Sequence, residues 1–136
     1  MKTETLIKNE NILTDSCFSK EGGVWYFEFS NNLRVQVESF WRLLHDKKVK
    51  WTSKDHEQLY GRKEKIDIER ATKKVLLKSK LLRINRNLNT GDLYLEFDNN
   101  FEIEIIADSS GYECWGIING EEEICGMGQG DISISD

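Results

Sequence analysis

The sequence predicts an α+β protein, two related antiparallel β units of about four strands each around a central helix, in one twisted sheet or a half-barrel. Three observations lead there. Asp92–Ala107 (DLYLEFDNNFEIEIIA) restates Val24–Ser39 (VWYFEFSNNLRVQVES), with Tyr26/Tyr94, Glu28/Glu96, Phe29/Phe97, Asn31/Asn99 and Asn32/Asn100 identical. Both copies alternate apolar and polar residues around an Asn-Asn pair, which tolerates the positive φ of a tight hairpin. The convincing helical period falls between Asp67 and Ser79,.

Taken in order, residues 3–9 (TETLIKN) read as a short helical turn anchored by Leu6 and Ile7, a degenerate counterpart of the later helix. Ile12 to Phe18 reads as a first strand and Lys20 to Gly23 as the loop into the first hairpin. There the period of two puts Trp25, Phe27, Phe29, Leu33, Val35 and Val37 on one face, and Tyr26, Glu28, Arg34, Gln36 and Glu38 on the other,. Phe40–Leu44 (FWRLL) continues the sheet or seals its end, and Val49, Trp51 and Ser53 fit another short strand. Lys54–Lys65 is polar, with Tyr60-Gly61 as its turn signal, and reads as loop,.

Asp67 then caps a helix over Ile68–Ser79, with Ile68, Ala71, Thr72, Val75 and Leu76 on one stripe,. Glu69 near its positive end and Lys73, Lys74 and Lys78 near its negative end suit the macrodipole,. Leu81–Asn87 returns to strand, and Asn89-Thr90-Gly91 turns into the second hairpin, whose inner face is Leu93, Leu95, Phe97, Phe101, Ile103 and Ile105. After a loop at Asp108–Gly111, Tyr112–Ile118 reads as a strand with Trp115 at its middle. Asn119-Gly120 then turns Glu123–Met127 back onto it,. The expected layout is one domain over 1–136, with a repeat at 11–53 and 80–128 and the helix at 67–79 between.

The chain has 136 residues, 38% of them apolar and 32% charged, which suits a single domain able to bury a core,. No basic-then-apolar leader and no apolar run of membrane length is present, so a cytoplasmic location is expected. Charge is unevenly spread. Residues 62–83 hold nine Lys or Arg against three acids, whereas residues 87–136 hold twelve Asp or Glu and no Lys or Arg. Such a half repels nucleic acid and attracts basic partners, although a charge run also serves simply as a solvated face.

Catalytic patterns are poor. His45 and His56 lie in a polar region without metal-ligand spacing and read as surface histidines,. Cys17, Cys114 and Cys125 form an odd set without CxxC spacing; reduced thiols are expected, with a Cys114–Cys125 bridge as the alternative,. Gly126, Gly128 and Gly130 resemble a phosphate loop, but no helix follows to present its N-terminus to an anion. A glycine-bulged edge strand fits better,. The lysine-rich helix lacks interleaved aromatics and reads as a solvated face. The sequence therefore predicts no enzyme, no metal and no cofactor.

Two segments, SFWRLLHDKKVKWTSKDHEQLYG (Ser39–Gly61) and LYLEFDNNFEIEIIADSSGYECWGI (Leu93–Ile117), resemble a family of small bacterial proteins without an assigned enzyme activity. Its pattern is a strand ending in W-R-L, a Ser-x-Asp-His loop, and an acidic strand followed by D-S-S-G-Y-E-x-W. The most specific part here is Asp108-Ser109-Ser110-Gly111-Tyr112-Glu113 with Trp115. The members are similar in size and layout to immunity proteins encoded beside polymorphic or contact-dependent toxins, which implies a toxin-neutralising role. The repeated strands about a helix also resemble the Whirly arrangement, which binds single-stranded DNA and in at least one case serves as an immunity protein.

The expected function is that of an immunity protein that binds a basic toxin domain, such as a nuclease, through an acidic surface. Tyr94, Glu96, Glu102 and Glu104, with Glu121, Glu122 and Glu123 on the last hairpin, are the expected partner-binding residues,. The alternatives are a self-associating structural or regulatory domain that forms a homodimer through its sheet edges and glycine-spaced tail, and a single-stranded nucleic-acid module using the 62–83 region. No membrane partner is expected.

Overall fold

Apolar alternation becomes strand pairing along about half of the chain in the computed structural model, which describes residues 1–136. Its strands are β1 (Thr3–Ile7), β2 (Asn11–Ser19), β3 (Val24–Phe29), β4 (Leu33–Val37), β5 (Trp41–His45), β6 (Lys48–Thr52), β7 (Lys80–Asn87), β8 (Leu93–Phe97), β9 (Phe101–Ile105), β10 (Trp115–Asn119), β11 (Glu122–Gly126) and β12 (Ile132–Ser135). All pairings are antiparallel, and they run as one path, β6-β5-β9-β8-β7-β2-β3-β4-β10-β11-β12, with β1 added on β7. The path is open, because β6 and β12 end it without joining.

This overturns the α+β expectation. The one α-helix, α1 (Ile68–Leu76), is nine residues long and packs beside β2; no β units are arrayed around it, as a half-barrel or a Whirly-like layout requires. It stops early because Leu77 leaves helical geometry and Lys78 takes φ 69°, so Ser79 closes the last turn on Leu76 and β7 begins at once. Asp67 caps it as expected, accepting from Arg70 N–H at 3.0 Å. Residues 3–9 form no helical turn either. They supply β1, which pairs with β7 from Thr3↔Asn87 to Ile7↔Ile84 and buries Ile7. A free edge of β7 satisfies those backbone groups better than one short, poorly anchored turn of helix.

The path has an internal symmetry based on exchange. The meander β2-β3-β4 is followed by the hairpin β5-β6, and β7-β8-β9 by the hairpin β10-β11, but each hairpin docks on the other meander. The docking registers match: Trp41↔Ile105, Leu43↔Ile103 and His45↔Phe101 in one, Trp115↔Val37, Ile117↔Val35 and Asn119↔Leu33 in the other. The Asn pairs make the corresponding turns, with Asn31, Asn32, Asn99 and Asn100 all at φ 59–63°, where the short side chain of asparagine lowers the cost of left-handed backbone.

The sheet folds over at the short β2–β7 pairing, Asn11↔Leu81 and Ile12↔Lys80, so that its two apolar faces meet. Phe29 stacks on Phe97 at 6.1 Å, and Trp41 is wedged edge-on against Trp25 and Phe27 at 5.0 Å each. Leu33, Val35, Val37, Leu93, Leu95, Ile103 and Ile105 are all buried, and only Phe101 of the predicted inner faces is half-exposed. Each such fully buried side chain stabilises the fold by roughly 1.5–3 kcal/mol. The polar outer faces of both meanders are thus presented on opposite sides of one core.

Candidate protein-binding face

On the outer face of β7, β8, β9 and β5 the registers lay out a polar grid. Tyr94 stands between Asn85 and Glu104, and Glu96 between Arg83 and Glu102; beyond them Arg42 faces Glu104 and Leu44 faces Glu102. Two of the three glutamates are satisfied internally. Arg42 holds Glu104 at 2.9 Å through Nη2 and 3.2 Å through Nε, while Arg83 Nη1 at 3.1 Å and Asn85 Nδ2 at 2.5 Å donate to Glu96. Thr5 Oγ1 donates to Asn85 Oδ1 at 2.6 Å, fixing which end of that amide faces Glu96.

Glu102 receives no such donor. It sits directly across from Glu96 and two residues before Glu104 on the same face of β9, half-buried. Burial first, then repulsion from Glu104 and Glu96, pushes its carboxyl up to about 6, against smaller opposing pulls from Lys47 and Arg42,. Two shallow clefts meet at this carboxylate. One, of about 440 Å³, is lined by Leu44, Lys47, Phe101 and Glu102 among others. The other, of about 420 Å³, includes Met1, Asn85, Tyr94 and Glu102.

The seven residues expected to form one surface do not converge. Tyr94, Glu96, Glu102 and Glu104 share the grid just described, whereas Glu121, Glu122 and Glu123 lie on the β10–β11 hairpin, whose pairing places it on β4 in the other layer. The free cysteines include Cys125, whose Sγ donates to Glu123 at 3.4 Å; burial and that bond push its thiol up to about 11. Arg42, Arg83 and Asn85, which decide which carboxylates are left over, were missed by sequence reasoning. Their partners lie 62, 13 and 11 residues away, and only the strand registers bring them together.

Other expectations change as well. His56 is not a surface histidine: its side chain is 8% exposed, packed edge-on against Phe18 and Trp25, with Nδ1 accepting from Ile68 N–H at 3.0 Å. That acceptor role puts the imidazole proton on Nε2, 3.6 Å from both Glu57 and Glu69,. His45 is exposed and stacks on Phe101 at 4.3 Å. The glycine-rich tail is a tight turn at Gly128–Gly130 leading into β12 rather than a bulged strand. A Cβ on Gly126 would lie 2.5 Å from the Trp115 ring, so close approach explains that glycine,. Trp115 opens β10 instead of centring it, and Tyr112 precedes the strand, largely in solvent.

No family model, characterised protein or solved structure matches the chain. No three His, Cys, Asp or Glu side chains converge as a metal site, and no helix is long and apolar enough to cross a membrane.

Proposed function

We propose that this is a toxin-neutralising immunity protein that holds a basic partner, such as a nuclease domain, on the grid of Tyr94, Glu96, Glu102 and Glu104. The observation that carries the reading is the state of Glu102, a half-buried carboxylate facing two others with no cation of its own. A lysine or arginine arriving from a partner relieves that repulsion and pairs in a partly desolvated site, where ion pairs are strongest. Tyr94 beside it supplies aromatic contact area, and its hydroxyl meets only Met1 Sδ at 3.4 Å within the chain,. The three glutamates of the β10–β11 hairpin have no place in this interface.

The test is complex formation with the product of the neighbouring gene, measured against salt and pH. Affinity is expected to fall with ionic strength, and to weaken below about pH 6, where Glu102 takes up a proton,. Glu102→Lys abolishes binding, whereas Glu123→Lys leaves it intact. Binding that is indifferent to salt and to Glu102→Lys refutes the assignment.

A further inference from the structure

Eleven of the nineteen Lys and Arg side chains pair with no carboxylate; Lys2, Lys8, Arg70, Lys74 and Lys78 lie in other parts of the chain, and the rest fall between Asp46 and Glu64. Arg34, Arg42, Arg83 and Arg86 are each paired with a carboxylate, but Lys48, Lys50, Lys54, Arg62 and Lys63 are paired with none. They belong to β6 and to the segment that follows it. Residues 58–65 (QLYGRKEK) are exposed without interruption, with Leu59 46% and Tyr60 64% accessible, and Val49 on β6 50% accessible. Tyr60 and Leu59, left in water beside Arg62 and Lys63, give the loop an aromatic anchor with a charged rim, whereas Val49 faces Leu44 on the acidic grid, and Lys50 and Lys54 lie over the Trp51 and Phe40 rings at 5.5 and 5.8 Å,.

This segment is also held in shape. Its neck is closed by Glu57 N–H to Ile66 O at 2.7 Å and Ile66 N–H to Gln58 O at 2.9 Å, and its tip by Arg62 N–H to Leu59 O at 2.8 Å. Tyr60 Oη donates to Asp55 at 2.9 Å, and the same carboxylate accepts from Thr52 N–H at the end of β6. Buried His56 ties the base to the first residue of α1. Glu57 and Tyr60, at φ 64° and 44°, occupy left-handed backbone that costs about 1 kcal/mol or more each for such residues,. Strain maintained to present side chains to solvent is what a preformed binding loop requires.

We propose that the loop Glu57–Ile66 is a second docking element, a finger whose Leu59 and Tyr60 enter an acidic surface of a protein partner while Arg62 and Lys63 grip its carboxylates. Nucleic acid fits this surface less well. Residues 58–65 are exposed throughout, none of the principal clefts is lined by any residue from 48 to 66, and single strands are held in basic grooves by stacking successive bases on several aromatics, where this loop offers Tyr60 alone. The proposal is independent of the Glu102 grid, which has the opposite charge and takes a basic partner.

Fluorescence anisotropy with three labelled probes tests it: a peptide alternating Glu with Phe or Leu, its Lys counterpart, and an oligothymidine of about fifteen nucleotides. The acidic peptide is expected to bind the full chain, losing at least about tenfold in affinity on Tyr60→Ala and again in an Arg62→Glu/Lys63→Glu double variant. Glu102→Gln leaves that affinity unchanged. Should Tyr60→Ala disturb folding, read from its unfolding midpoint, the fully exposed charge-reversal pair carries the test. The proposal is overturned if the acidic peptide does not bind, if it binds the loop variants as it binds the wild type, or if oligothymidine binds more tightly and is the probe those variants lose.

Discussion

The meanders β2-β3-β4 and β7-β8-β9 place matching side chains on opposite sides of the core, and they differ most at one outer pair. In the first, Glu28 stands across from Arg34, which closes on it at 2.7 Å and lies 5.3 Å over the Tyr26 ring. In the second, Glu96 stands across from Glu102, with Tyr94 in the place of Tyr26. One arginine exchanged for glutamate turns a face that satisfies itself into one with a surplus carboxylate. Neutralisation there is incomplete: Arg83 and Arg42 arrive from neighbouring strands and serve Glu96 and Glu104, leaving Glu102 over. The comparison locates a candidate interface by what differs between two copies of the same scaffold, rather than by the count of acids in the chain.

The strongest test of the equivalence is in the core. Trp41 and Trp115 occupy corresponding registers and both are buried. Truncating either to alanine is expected to cost about 3–5 kcal/mol in denaturant unfolding. Trp→Phe should separate them. Trp41 Nε1 has no acceptor, while Trp115 Nε1 donates to Gly91 O at 2.8 Å. Trp41→Phe therefore removes an unsatisfied donor and is the milder change, whereas Trp115→Phe orphans a buried carbonyl at a further cost of about 1–3 kcal/mol. Equal losses for the two phenylalanine variants would mean that the tryptophans are not held as differently as their bonds indicate.

A smaller effect probes the outer faces. The carboxyl of Glu102 is raised from 4.5 to about 6, so its contribution to stability is present below pH 4.5 and is lost as pH rises through 6,. Glu102→Gln is expected to stabilise the fold at pH 7 by about 1 kcal/mol after allowance for solvent screening, with the gain shrinking through pH 6 and gone below pH 4.5,. Unfolding curves at several pH values check this. A pH-independent difference would place the effect in packing instead of charge.

Much of the sheet was legible because period-two alternation specifies faces wherever one side is buried: the inner residues of both hairpins, the two Asn-Asn turns and the strands through Ile12 and Leu81 were readable from spacing alone. The fold class was not. Residues 3–9 and 77–79 had patterns too short to choose a state, and tertiary pairing with β7 made the first of these a strand,. The exchange of hairpins between meanders was invisible as well, since nothing local in FWRLL names β9 as its neighbour. Three of the seven expected residues lie apart from the others for that reason. Glu121, Glu122 and Glu123 share a charge sign with Glu102, yet β10 carries their hairpin to the other layer. The buried state of His56 was hidden too, because the rings that cover it, Phe18 and Trp25, lie far away in sequence.

The pair that distinguishes the two faces can be exchanged directly. Glu102→Arg rebuilds on the second meander the Glu28–Arg34 arrangement of the first, and the account predicts that this variant unfolds at higher denaturant than wild type at pH 7 while losing affinity for the proposed basic partner. A variant that is destabilised, or that still binds as the wild type does, would contradict the claim that an unpaired carboxylate at this position is maintained for a cation brought from outside.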